Sequence, residues 1–215
     1  MKSEFLISKI ETGQLNAMVK NIMMQTGINN PIEAMKIVNA GEVELSLKKQ
    51  WTEKDGLIYF SVSSDGTSGK DWISRLENQD FKVGKYAKSV LLSKDFKPGK
   101  PMTYEIAILK GEIFKNNVRT TKNMRAEAKK LGLKTATPEL ACLIREKFTN
   151  NELRAMGLYW IVTMHKPIKD FTDHPTLLCS ECVQNSSQLR AHHDSVKHRW
   201  YRVDGFAFVV SESFN

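Results

Sequence analysis

At 215 residues the chain is long enough to bury one sizeable core, or a core with a short extension. Its apolar share of 41% and charged share of 26% are those of an ordinary globular protein and exclude collagen-like and disordered classes. Three cysteines imply no disulfide framework, no apolar run reaches bilayer length, and the net charge is +8.

The first fifty residues read as a small, Met-rich helical extension. GQLNAMVKNIMMQT (13–26) has helical spacing through Leu15, Met18 and Ile22. Pro31 opens a second helix that runs towards Gly41, and EVELSL (42–47) alternates like a strand. MKSEFLISKIETGQ lacks the pattern of a signal peptide. The expected location is therefore the cytoplasm, or a virus particle packaged from it, with no membrane insertion.

From Trp51 onward the pattern is mixed. GLIYFSV (56–62) is a strand, and SSDGTSGK (63–70) is the turn after it. Gly66-Thr67-Ser68-Gly69-Lys70 has only two residues between its glycines, and Asp71 follows the lysine. A phosphate loop needs four residues there and a hydroxyl after the lysine, so the stretch reads as a helix cap on Ser68. Helices follow over 70–79, buried through Trp72, Ile73 and Leu76, and over 83–93. MTYEIAILKG (102–111) is a strand, and 120–133 a helix ended by Gly132. Thr137-Pro138-Glu139 caps another helix, and Thr149 with Glu152 forms a capping box for a short one. LYWIVTMHK (158–166), TLLCSECV (176–183) and GFAFVVS (205–211) are apolar strands, with an irregular polar segment between the last two. This order predicts an α+β fold.

Three sets of residues invite a functional reading. Fourteen Lys or Arg stand against four Asp or Glu between Lys82 and Lys134, a possible footprint for nucleic acid. Only Tyr86, Phe96, Tyr104 and Phe114 are aromatic there, each alone in the run, so solvated helix faces are the better explanation. His165, with Glu146 and Arg145 upstream, is the one candidate for acid–base chemistry, and Cys142 reads as a buried thiol. The third set is CSECVQNSSQLRAHHDSVKHRW (179–200). Cys179, Cys182, His193 and His198 suggest a zinc-dependent nucleic-acid-binding module. Nine or ten residues separate Cys182 from His192 or His193, where a two-Cys two-His finger wants about twelve. Metal is therefore the rival reading of this stretch, and the expectation is no metal and no cofactor.

The tail as a whole, with an irregular loop, Arg199-Trp200 and a closing Gly205-Phe206-Ala207-Phe208 strand, resembles the variable proteins of diversity-generating retroelements. The resemblance implies a C-type-lectin-like domain of the formylglycine-generating-enzyme type over 51–215, carried behind the 1–50 extension. It implies a hypervariable segment over about 179–204 and a non-catalytic role in recognising a macromolecular ligand, a protein or a cell-surface component. Such elements mutate template adenines. From Leu189 to Asp204 only Lys197 and Trp200 lie outside what adenine changes in Asn codons can reach. The binding surface expected on this reading is Asn185, Ser187, Arg190, His192, His193, Ser195, His198, Tyr201, Val203 and Asp204, with Trp200 and Phe206 as core anchors.

Overall fold

The computed structural model describes residues 19–20, 22–23, 26–40, 49–183, 186–195 and 197–210. By its internal contacts the chain divides into two compact units, 1–49 and 50–215. In the first, helix α1 spans Pro31–Asn39. Asn30 Oδ1 accepts from the amides of Ile32 (2.9 Å) and Glu33 (3.2 Å), and Pro31 fills the first position, which needs no amide. The strand expected over 42–47, and much of the helix expected over 13–26, lie outside the described residues.

The second unit is α+β, built on one mixed sheet of nine strands. In chain order its elements are β1 (Thr52–Lys54), β2 (Leu57–Ser64), α2 (Gly69–Glu77), β3 (Lys82–Val83), α3 (Lys85–Leu91), β4 (Met102–Lys110) and α4 (Thr121–Lys130). Then come α5 (Glu139–Lys147), α6 (Asn150–Ala155), β5 (Trp160–Thr163), β6 (Ile168–Lys169), β7 (Pro175–Val183), β8 (Ser186–His193) and β9 (Asp204–Val209). The strand order is β1-β2-β4-β9-β5-β7-β8-β3, with β6 paired to β7. The β5–β9 and β3–β8 pairs are parallel and the rest antiparallel. Among the described residues no helix is long and apolar enough to cross a membrane.

Alternation along the strands makes two cores. Ile58, Phe60, Ile106, Ile108, Ile161, Leu178 and Leu189 face α2, α3, α5 and α6, where Trp72, Leu76, Val90, Leu140, Ile144 and Phe148 complete one cluster. Leu57, Ala107, Leu109, Val162, Leu177, Phe206 and Phe208 face the other way. Met124 and Ala128 of α4, with Trp200, pack on them. Cys142 is fully buried in the first core, and burial pushes its thiol well above the ordinary range.

Local chemistry fixes the junctions. Asp55 and Gly56 both have positive φ, so β1 and β2 are joined by a primed two-residue turn that matches strand twist. Ser68 accepts from the Asp71 amide at 3.3 Å, as the capping reading expects. Gly69 is required for another reason: a Cβ there would stand 1.9 Å from the Leu91 carbonyl oxygen, so α2 and α3 meet only through a bare backbone. Thr149 and Glu152 form the expected capping box. The cap expected at Thr137 is displaced: α5 begins at Glu139 behind Pro138, and Thr137 Oγ1 has no hydrogen-bond partner among the described residues. The Glu139 carboxylate is wholly buried and accepts from Ser64 Oγ (2.7 Å), Trp72 Nε1 (3.2 Å) and the Gly99 amide (2.5 Å), tying β2, α2 and a loop to α5.

The largest departure from the sequence expectation lies between β7 and β9. The polar stretch SSQLRAHH is not irregular: it is β8, paired with β7 from Thr176–His193 to Val183–Ser186. Its partner strand satisfies its backbone, and only Leu189 and Ala191 on its inner face need to be apolar. Among the described residues the irregular part is confined to 194–195 and 197–203.

Candidate ligand-binding site

The loop 194–203 is held down at its middle. The Trp200 amide donates to the Arg119 carbonyl (2.9 Å), and Trp200 Nε1 donates to Thr121 Oγ1 (3.1 Å). Arg119 is itself buried and donates to the carbonyl oxygens of Phe114 (3.1 Å) and Trp200 (3.4 Å). The Trp200 ring lies against Phe206 at 5.7 Å, so both are core anchors, as expected. Gly111 passes under the loop so closely that a Cβ would come within 2.5 Å of the Tyr201 carbonyl oxygen.

Above this anchor the loop closes a cavity of about 180 Å³ lined by Tyr159, Trp160, His192, His198, Trp200, Tyr201, Val203 and Asp204. Its walls are mostly aromatic. His192 and His198 lie 4.2 Å apart, and each meets Trp200, at 4.8 Å and 4.4 Å. Trp160 closes the far side 5.9 Å from His192. Arg190, paired to Glu181 at 3.0 Å, lies 5.9 Å over the Trp160 ring. Tyr201 and Val203 remain exposed at the rim.

Two groups give the cavity its electrostatics. Asp204 is buried where β9 begins. Burial pushes its carboxyl up to about 6, against the Tyr201 amide that donates to it at 2.8 Å and the nearby Arg119 charge. His198 is held below the ordinary imidazole value by burial first, then by the neighbouring His192 and Arg199. Near neutrality the cavity therefore combines aromatic faces with one carboxylate.

Of the ten residues expected to bind ligand, His192, His198, Tyr201, Val203 and Asp204 converge on this cavity, and Arg190 stands at its edge. Ser187, opposite Cys182, and exposed Ser195 do not line it. His193 points through the other face of the sheet, and Asn185 lies outside the described residues. Tyr159 and Trp160 were missed as site residues because they belong to an apolar run whose pattern announces only a core strand.

The other sequence candidates disperse. Cys179 and Cys182 sit on opposite faces of β7, one in each core, so a single ion cannot take both thiolates. Burial also pushes the Cys179 thiol far above its ordinary range. His165 is wholly buried; its Nδ1 bonds the Lys166 carbonyl (2.7 Å) and its Nε2 accepts from the Leu178 amide (2.9 Å). Both ring nitrogens are thereby occupied, and burial lowers its pKa to about 4. Glu146 instead takes both arms of Arg75, at 2.7 Å and 2.6 Å. Arg145 is spent on the Glu181 and Phe148 carbonyls and Asn150 Oδ1. In the basic block, Lys88, Lys110, Arg125 and Lys130 are ion-paired to Glu77, Glu53, Asp194 and Glu127. No protein-family model matches the chain, and no curated protein or solved structure resembles it at a significant level.

Proposed function

We propose that the chain is a non-catalytic recognition protein that captures one protruding side chain of a macromolecular ligand in the aromatic cavity beneath the 194–203 loop. The observation that carries this is the convergence of five loop-region residues, His192, His198, Tyr201, Val203 and Asp204, on one cavity. Its 180 Å³ is below the roughly 300 Å³ at which pockets begin to engulf a small molecule, but it suits a single anchor. Aromatic faces beside the Asp204 carboxylate favour a cationic anchor, arginine above all. The finer reading is a retroelement variable protein on a C-type-lectin-like scaffold. It is supported by the burial of the Gly205-Phe206 strand directly after a loop whose tip residues stay out of the core.

The test uses an anchor mimic. N-acetyl-arginine amide titrated into the protein should shift the indole NMR signals of Trp160 and Trp200 and leave Trp72 unmoved. Tyr201→Ala and His198→Ala should abolish the shifts while preserving the fold. Shifts that persist in both variants, or none at all, would sink the proposal. The finer reading needs a near-copy of the 3′ coding region differing mainly at adenines beside a reverse transcriptase gene; a complete locus with neither refutes active diversification.

A further inference from the structure

On the sheet face opposite the cavity, three other side chains gather where the 170–174 turn meets β8. The Asp170 side chain is fully enclosed, and its Oδ2 lies 3.0 Å from His193 Nε2. The His174 and His193 rings stack at 4.7 Å and 12°. One nitrogen or oxygen from each of Asp170, His174 and His193 falls within 4.8 Å of the others.

The hydrogen bonds around the cluster orient it for an ion. Thr172 Oγ1 donates its single proton to Asp170 Oδ1 (2.6 Å), so its 2.9 Å contact with His174 Nδ1 must be one in which Nδ1 donates. Neutral His174 is thereby fixed in the tautomer whose Nε2 carries a lone pair. A hydroxyl or carboxylate that sets a histidine's tautomer from behind is the usual support of a metal ligand. Thr176 Oγ1 shares its one proton between the His174 carbonyl (2.9 Å) and Asp170 Oδ2 (3.1 Å), and the amides of Thr172 (2.8 Å) and His174 (3.4 Å) donate to Oδ1. These bonds fix the orientation of the carboxylate, with Oδ2 turned to His193.

We propose that Asp170, His174 and His193 form a binding site for a divalent transition-metal ion of the zinc type. Two nitrogens and one carboxylate oxygen are a donor set that zinc accepts, with a fourth position for water or a ligand carboxylate. Asp170 Oδ2 and His193 Nε2 share a 3.0 Å hydrogen bond, and adjacent tetrahedral ligands about 2.1 Å from an ion stand about 3.4 Å apart, so an ion replacing that proton needs only a small opening. His174 is exposed on its turn, and its Nδ1 bond to Thr172 leaves Nε2 as the nitrogen offered to an ion. Tyr86 meets the His193 ring edge-on at 5.8 Å and stacks on Phe171, with Lys85 over both rings, and Lys169 is ion-paired to Asp173 beside His174. The ion would clip the 170–174 turn to the end of β8, where the chain leaves the sheet for the 194–203 loop. This proposal is independent of the cavity on the other face.

Isothermal titration of the full chain with Zn²⁺, and the visible absorption of the Co²⁺-loaded chain, test it. One equivalent should bind. His174→Gln, which replaces an exposed side chain and leaves folding intact, should weaken binding more than tenfold, as should His193→Gln. Thr172→Val, which touches no metal, should weaken it several-fold by releasing the His174 tautomer. Absence of one-equivalent binding overturns the proposal. So does binding that survives both histidine changes, or that is lost in His198→Gln and kept in His193→Gln, which would move the metal to the aromatic cavity.

Discussion

His192 and His193 are adjacent in the chain but serve opposite faces of the sheet. His192 lies 4.8 Å from Trp200 in the aromatic cavity, while His193 lies 3.0 Å from Asp170 beyond the other face. Because β8 is a strand, neighbouring side chains point apart, and one dipeptide contributes to two separate chemical environments. The histidine-rich appearance of the segment is therefore not one cluster.

Trp200 and Tyr201 should behave as opposites for the same reason. Trp200 is buried and holds Thr121 and Phe206, so Trp200→Ala is expected to cost about 3–5 kcal/mol in a denaturant titration. Tyr201 is 70% exposed, and Tyr201→Ala should change stability by less than about 0.5 kcal/mol. Equal losses would mean that the loop is packed as core.

Asp204 gives the cavity a pH signature. Its folded pKa of about 6 stands above the ordinary 3.8, so the folded chain holds a proton that the unfolded chain has lost. Stability from this group is full below pH 3.8 and is lost as pH rises through about 6. Asp204→Asn keeps an acceptor for the Tyr201 amide and removes the buried charge. It should raise the folding stability at neutral pH by about 1–2 kcal/mol after allowance for solvent screening, and leave it unchanged in mild acid. A pH-independent effect would contradict the assignment.

His165 carries the opposite sign. Its folded pKa of about 4 lies below the ordinary 6.5, so its stabilisation is present above pH 6.5 and is lost as pH falls through about 4. His165→Ala orphans the buried Leu178 amide and should cost about 1–3 kcal/mol at neutral pH. The variant's stability should also fall less than the wild type's on acidification across that window, as followed by circular dichroism.

Gly205 tests the terminal strand. A Cβ there would come within 2.7 Å of Ile108 Cγ2 and 2.9 Å of Leu158 Cδ1. Gly205→Ala should therefore destabilise by about 1–3 kcal/mol through overpacking between β4, β5 and β9. Gly132→Ala, with open space around its Cβ but a positive φ, gives a strain-only comparison.

The legible parts of the fold were those where one local signal sufficed. The alternation of Ile58, Phe60 and Val62 marked β2, Ser68 and Thr149 marked helix starts, and the GFAF run marked a buried strand. The Asp55-Gly56 pair was an available hairpin signal that could have revealed β1. Nothing in SSQLRAHH marks β8, because a strand with one half-buried face and a partner for its backbone can be almost entirely polar. Tyr159 and Trp160 look like core in sequence and reach the cavity only because β5 begins there.

The order and periodicity of the elements alone determined the α+β class, since these depend on which residues prefer burial and at what spacing, while the burial of Trp200 and Phe206 was an expectation of the tail's resemblance. Only the tertiary structure decided how the chemically active residues are grouped. The pairing of β7 with β8 sends Cys179 and Cys182 to different cores and parts His192 from His193. It also brings His193 to Asp170, which lies 23 residues away in the chain. Side-chain direction in a sheet is fixed by register with a neighbouring strand, and register is a property of the folded pair that no single segment carries.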